Sequence, residues 1–287
     1  MTPIIPERLV ASCQTPGRAA WLAQLPGRLR DLAQRWSLSL GEPFEGDEVT
    51  CAWVAPVTLA DGGTAVLKIG QPHMEADHEI AGLRFWNGDP TVRLLEADEA
   101  LGAMLLERCE PGAHLRLVPE PEQDAVIARL LRRLWRPPGP NDPFRPLSVM
   151  LTQWSAETRA RSEDWPDASL VRQGLQLFEE LSQTTHEDVV LATDLHAGNV
   201  LRSQREPWLV IDPKPFVGDP AYDATQHLLN CRERLRADPH GTIKRFVNIL
   251  DVDAERVRLW TFARLVAEPR DDWDAERPLT LARLIQP

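Results

Sequence analysis

Three residues in the second half of the chain have the types and spacing that phosphoryl transfer needs. In Leu191-Ala-Thr-Asp-Leu-His-Ala-Gly-Asn199 an aspartate, Asp194, precedes an asparagine, Asn199, by five positions, and the apolar run 208–211 delivers a second aspartate, Asp212. This D-x-x-x-x-N followed by a strand-end Asp is the spacing of a kinase catalytic loop and its metal-binding aspartate. A hydroxyl nucleophile needs a carboxylate to accept its proton, and magnesium needs hard oxygen ligands beside the phosphates. Asp194 therefore reads as the catalytic base, with Asn199 and Asp212 as metal ligands. Taken alone, the Asp-to-Asn spacing is also what a tight turn selects. Its company argues otherwise: Gly198, flanking apolar strands, Asp212 and an upstream strand lysine, Lys68, follow in the order the chemistry requires. His196 is read either as a contact of Asp212 and the metal shell or as a packed loop histidine.

The elements that must position these groups change character along the chain. Residues 19–36 have helical spacing (Leu22, Leu25, Leu29, Leu32, Trp36), with an interruption expected at Pro26-Gly27. The turn Asp61-Gly62-Gly63 joins 49–59 to 64–69 as an antiparallel hairpin, with Lys68 inside its second strand. A helical stretch over 73–86 and two strands, 92–96 and 101–107, follow. Beyond Pro111-Gly112 the patterns are helical at 119–135, 149–161 and 168–184. A β-containing island with short strands at 189–191, 200–201 and 208–211 carries the polar loops. From Asp219 onward the chain reads as helical, Asp219-Pro220 being an N-cap followed by proline at the first helical position, with Asp223 bracing the preceding loop.

Composition bounds the function. A length of 287 residues with 43% hydrophobic and 26% charged side chains describes a chain that folds throughout. Forty-three acidic against thirty-two basic residues give a net charge of −11, which disfavours a nucleic-acid partner and suits a cationic small molecule, although acidity also serves solubility. Cys13, Cys51, Cys109 and Cys231 have no C-x-x-C spacing, so neither a zinc site nor a disulfide framework is expected. No apolar window reaches the roughly 18 residues of a membrane span. A cytoplasmic protein with no membrane partner is the expectation. The ten tryptophans read mostly as packing residues.

The segments Thr193-Asp-Leu-His-Ala-Gly-Asn-Val-Leu201, Trp208-Leu-Val-Ile-Asp-Pro-Lys-Pro215 and Gly218-Asp-Pro-Ala-Tyr-Asp223 resemble the aminoglycoside phosphotransferase family, in its branch of streptomycin 6-kinases and hydroxyurea phosphotransferases. Ala65-Val-Leu-Lys-Ile69 and Ala103-Met-Leu-Leu-Glu-Arg-Cys-Glu-Pro-Gly112 are also alike, so the resemblance runs over residues 40–235. It implies an α+β, two-lobed protein-kinase-like fold: a small sheet-rich N-lobe, residues 1–108, and a larger helical C-lobe, residues 109–287, with ATP and Mg2+ between them. By the same resemblance Lys68 holds the α- and β-phosphates and pairs with Glu79, or with Glu75 one turn earlier. Adenine then lies against the backbone at Glu107-Arg108-Cys109, making Glu107 and Cys109 the cofactor-binding residues there.

Two departures stand out. No Gly-x-Gly-x-x-Gly is present, Gly41 and Gly46 framing a looser segment, and Ala192-Thr193-Asp194 stands where the family often has His-Gly-Asp. Only residues 213–218 separate Asp212 from the Asp219 cap, too few for the long segment a protein kinase uses to dock a peptide. A protein substrate is therefore not expected; the resemblance, with the net charge, implies a cationic aminocyclitol such as streptomycin, which acidic residues such as those in 268–276 could attract. The alternatives are a kinase of another hydroxylated metabolite (choline, homoserine or sugar type), a nucleotide-binding pseudokinase, and a metallohydrolase using Asp194, His196 and Asp212.

Overall fold

The computed structural model describes residues 3–45, 51–184, 187–269 and 276–287. The chain opens with helices α1 (Glu7–Ser12) and α2 (Pro16–Arg35), followed by strands β1 (Ser39–Leu40), β2 (Ala52–Thr58) and β3 (Thr64–Gly70). Next come α3 (Glu79–Trp86), β4 (Leu94–Asp98) and β5 (Ala103–Glu107). Helices α4 (Glu120–Leu134), α5 (Leu147–Ala160) and α6 (Ala168–Gln183) lead to four short strands, β6 (Val189–Leu191), β7 (Val200–Leu201), β8 (Leu209–Val210) and β9 (Phe216–Gly218). The chain ends in α7 (Pro220–Asn230), α8 (Arg232–Ala237), α9 (Pro239–Leu250), α10 (Ala254–Ala267) and α11 (Glu276–Leu284).

Two compact units result: Met1–Ala113 with Leu201–Ile211, and His114–Val200 with Asp212–Pro287. The sequence places its division after residue 108 and keeps each lobe continuous. In the first unit, however, Val210 donates to the Pro90 carbonyl (3.1 Å) and accepts from Val92 (3.0 Å), so the returning segment pairs with the chain before β4.

The first unit is an antiparallel sheet in the order β1-β2-β3-β5-β4. Its central hairpin forms because Gly62 adopts φ +86° and the Asp61 carboxylate accepts from the Gly63 N–H (2.9 Å). Strand alternation then divides β3 between two faces. Ala65, Leu67 and Ile69 point into a core with Trp21, Leu25, Leu29 and Leu32 of α2 and with Trp53 of β2. Val66 packs on the opposite face with Ile80 and Leu83 of α3, and Lys68, two residues on, shares that face. Helix α2 runs straight through Pro26, contrary to the expected break. The lost hydrogen bond and ring clash cost about 3 kcal/mol. Full burial of Trp21, Leu25, Leu29 and Leu32 on one face, at about 1.5–3 kcal/mol each, outweighs it. Helix α3 begins later than expected, at Glu79, after a separate 3-10 turn at Met74–Ala76.

The second unit is a helical body around an aromatic spine. Trp154 of α5, Phe178 of α6 and Trp260 of α10 follow one another at centroid spacings of 6.4 and 6.3 Å, and Tyr222 of α7 meets Trp260 edge-on at 5.2 Å. Helices α6 and α10 approach so closely that a Cβ on Gly174 would lie 2.3 Å from Val266 Cγ2. Strand β9, unanticipated in the sequence, pairs antiparallel with β6 through Leu191↔Phe216, Val190↔Val217 and Val189↔Gly218. This pairing sets the two ends of the polar loops in register. Among the described residues no helix is long and apolar enough to cross a membrane.

Candidate active site

In the second unit the loop after β6 is fixed by its backbone. Asp223, fully buried on α7, accepts from the N–H groups of Ala192 (3.0 Å) and Thr193 (2.7 Å) and from the Trp135 indole (3.0 Å). Burial pushes its carboxyl above the usual range, opposed by these three donors. Asp219 caps α7 by accepting from Ala221 N–H (2.9 Å), and it also accepts from the Trp260 indole (2.6 Å). Asp219 therefore acts as a helix cap, and Asp223 as the residue that holds the loop. Thr193 takes φ +47° and donates its hydroxyl to the Lys214 carbonyl (2.7 Å), while the Lys214 N–H donates to Ala192 (2.9 Å). The segment carrying Asp212 is thereby stitched to the one carrying Asp194.

Asp194 and Asn199 are brought together by the short 3-10 turn Ala197–Asn199. The Asn199 amide donates to the Asp194 carbonyl (3.0 Å) and, at 3.4 Å, to its Oδ2. His196 Nδ1 accepts from the Gly198 N–H (3.0 Å), so the neutral ring carries its proton on Nε2, 3.9 Å from Asp194 Oδ1. Of the two sequence readings of His196, a contact of Asp212 or the metal shell and a packed loop histidine, its contacts are those of a loop residue: it caps its own turn and faces Asp194. Asp194 remains a third exposed at its side chain, yet the surrounding protein still pushes its carboxyl upward. Burial is the largest cause and the neighbouring Asp212 adds to it, against His196, Lys214 and Arg264. Asp212, at φ +53°, pairs with the Lys214 ammonium.

Three participants escaped the sequence reading. Lys214 lay inside a quoted motif without a role. Gln226 of α7 donates to Asp194 Oδ1 (2.6 Å), and Arg264 of α10 donates to Gln226 Oε1 (2.7 Å). The available signal was a single arginine inside the apolar run Leu259-Trp-Thr-Phe-Ala-Arg-Leu-Val-Ala267, which a helix buried all round would not carry without partners.

In the first unit Lys68 donates to both carboxylate oxygens of Glu79 (2.6 and 2.7 Å), and both side chains are buried. The lysine is held by Glu79, in the first turn of α3. At the end of β5, Glu107 spends its carboxylate on Arg205 Nε and Nη2 (2.8 Å each) and on the Arg93 N–H (3.0 Å). Burial raises its carboxyl, but the Arg205 bonds prevail and hold it below the usual range. Burial, with Glu107 nearby, pushes the Cys109 thiol up to about 11, so it stays neutral. The Glu107 carboxylate is thus committed to Arg205 and the Arg93 N–H, and the Cys109 thiol is half-buried beside it. Gly41 sits against the Pro56 carbonyl, where a Cβ would lie at 2.8 Å; Gly46 falls outside the described residues, as does most of the acidic segment 268–276. Glu268 pairs with Arg264 (3.0 Å).

Residues 35–271 match the family described as aminoglycoside/hydroxyurea antibiotic resistance kinases. Over 96% of its length the chain is 35% identical to a streptomycin 6-kinase of Streptomyces griseus, covering 92% of that protein. It is 36% identical to a hydroxyurea phosphotransferase of Kitasatospora aureofaciens, over 91% of this chain and 78% of the relative. In structure it is similar to the choline kinase LicA from Streptococcus pneumoniae (TM-score 0.61, 13% identity, 89% and 98% of the two chains), a likeness of fold. The chain belongs to the aminoglycoside/hydroxyurea antibiotic resistance kinase family. It has the kinase-like α+β fold and is a phosphotransferase with an alcohol group as acceptor.

Proposed function

We propose that the protein transfers the γ-phosphoryl group of ATP, with Mg2+, to a hydroxyl of streptomycin or a closely related cationic aminocyclitol. The observation that carries this reading is the joining of Asp194 to Asn199 by hydrogen bonds, beside an Asp212 that already holds a cation, in a chain 35% identical to a streptomycin 6-kinase. Asp194 accepts the proton as the hydroxyl oxygen bonds to the γ-phosphorus, and the bond to the β-phosphate oxygen breaks to release ADP. Lys68, oriented by Glu79, neutralises the α- and β-phosphates. The backbone at 107–109 receives adenine.

The donor set suits magnesium. Asn199 spends its amide N–H on the Asp194 carbonyl, leaving a carboxamide oxygen as a hard ligand, and the Asp212 carboxylate attracts a cation in the Lys214 ammonium. Bound there, Mg2+ neutralises developing phosphate charge. Asp212→Ala should abolish metal-dependent nucleotide binding, measured by calorimetry with and without Mg2+; unchanged binding would remove the ligand role.

A net charge of −11 favours a cationic acceptor. The 36% identity to a hydroxyurea phosphotransferase supports a second reading, hydroxyurea as the acceptor. Incubating the purified protein with labelled Mg-ATP and streptomycin, hydroxyurea or choline decides between them. Label on streptomycin is the expected result, whereas label only on hydroxyurea or choline would transfer the assignment to that acceptor.

A further inference from the structure

We propose that Gln226 and Arg264 form a one-way donor relay that orients the Asp194 carboxylate, making Gln226 a positioning residue of the phosphotransferase. The inference rests on the reading of Asp194 as the base.

Arg264 lies on α10 with 4% of its surface exposed, and each of its three guanidinium nitrogens donates a hydrogen bond. Nη1 donates to Thr225 Oγ1 (2.9 Å), Nε donates to Glu268 (3.0 Å), and the group stacks over the Tyr222 ring at 4.9 Å. Its remaining branch, Nη2, donates to Gln226 Oε1 at 2.7 Å and, at 3.4 Å, to Glu268 Oε1. A guanidinium has five donors and no acceptor, so this contact decides which way the Gln226 amide faces. Oε1 must lie toward Arg264, and Nε2 therefore toward Asp194, where it donates to Oδ1 at 2.6 Å. Reversing the amide would set oxygen against carboxylate and NH2 against guanidinium, which is unfavourable at both ends. Each hydrogen bond in the series thus specifies the next.

The consequence falls on the two oxygens of Asp194. Oδ1 accepts from the Gln226 amide, while among the described residues Oδ2 has the long 3.4 Å approach of Asn199. The relay therefore fixes the rotation of the carboxylate and leaves Oδ2 as its less engaged oxygen, the one we assign to accept a hydroxyl proton. Gln226 lies one turn beyond Asp223 on the same face of α7, and Asp223 fixes the backbone of the same loop through Ala192 and Thr193. One helix sets both the height of the base and its rotation.

The test compares Gln226→Met, which keeps length and volume but loses the donor, with Gln226→Glu, which keeps an acceptor for Arg264 and presents a second carboxylate to Asp194. Steady-state turnover is measured with Mg-ATP and whichever of streptomycin and hydroxyurea accepts phosphate, alongside thermal unfolding. Both variants should lower kcat by about 10- to 100-fold, the range expected when a reacting group is misplaced, with nucleotide KM unchanged at an assay temperature well below either variant's melting temperature. Arg264→Met in the Gln226→Met background should add little further loss of kcat, since the two act in series. Wild-type kcat in both Gln226 variants would overturn the relay, as would a loss of kcat that tracks a falling melting temperature. Asp194→Ala is run in parallel to separate the two ideas. If it is inactive while Gln226→Met is not, the relay alone fails; if it is active, the base assignment fails.

Discussion

Asp223 uses its carboxylate on two buried backbone N–H groups and a half-buried indole, so its role can be measured directly. Asp223→Ala leaves these donors without an acceptor, at about 1–3 kcal/mol for each unsatisfied group, and should lower both the melting temperature and turnover. Thermal unfolding and an activity assay on the same sample check this; a variant as stable and active as the parent would refute the brace. The Lys68–Glu79 pair gives a second prediction. Removing one partner of a buried ion pair costs about 3–5 kcal/mol, so Glu79→Gln should be strongly destabilising and weaken nucleotide binding, whereas Glu75→Gln should shift stability by less than about 1 kcal/mol. Equal effects in denaturant unfolding would contradict the assignment to Glu79. At this scale the sequence was informative where spacing along the chain carries the chemistry, as from Asp194 to Asn199 and on to Asp212. It was silent on Gln226 and Arg264, whose meeting depends on how α7 packs against α10, 38 residues apart in sequence.

Among the helices, two contacts hold the second unit in register. Gly174 lets α6 lie against α10, and Gly174→Ala drives a methyl group into Val266 and Ala267. The expected cost is about 1–3 kcal/mol in denaturant unfolding, and a neutral result would mean the two helices have room to separate. Asp124 of α4 accepts from both Arg234 nitrogens of α8 (2.6 Å each) and lies 2.8 Å from His227 Nε2 of α7. Burial raises the Asp124 carboxyl, but these partners prevail and hold it below its ordinary value. A depressed carboxyl stabilises the fold above the unfolded value, about 3.9, and this contribution is lost as pH falls through the folded value beneath it. Asp124→Asn should therefore cost about 3–5 kcal/mol at neutral pH, and its deficit against the parent should close below about pH 4. A deficit independent of pH would show that packing, not charge, is lost. Periodicity revealed the helices and the β2–β3 hairpin because their apolar faces are long. It could not reveal β9, three residues between Pro215 and Asp219, whose strand character comes from pairing with β6. Nor could it show that four buried side chains would carry α2 through Pro26.

For the whole molecule, the sequence patterns change from β-rich to helical near Pro111-Gly112, and the first unit's leading segment ends at Ala113. The return of Leu201–Ile211 to the first unit was not legible, because it depends on Val210 meeting the backbone around Thr91 rather than on composition. Family membership rests on similarity along most of the chain, and the acceptor on chemistry that net charge only biases. The central claim, that Asp194 takes the proton from a small-molecule hydroxyl during ATP-dependent transfer, has one direct test. Purified parent and Asp194→Ala proteins are incubated with Mg-ATP and streptomycin, and the product is weighed by mass spectrometry while nucleotide affinity is measured separately. The account predicts streptomycin carrying one added phosphoryl group with the parent, and with Asp194→Ala a rate lower by at least about 10²- to 10⁴-fold at unchanged nucleotide affinity. Phosphorylated streptomycin formed at near-parent rate by Asp194→Ala would contradict it.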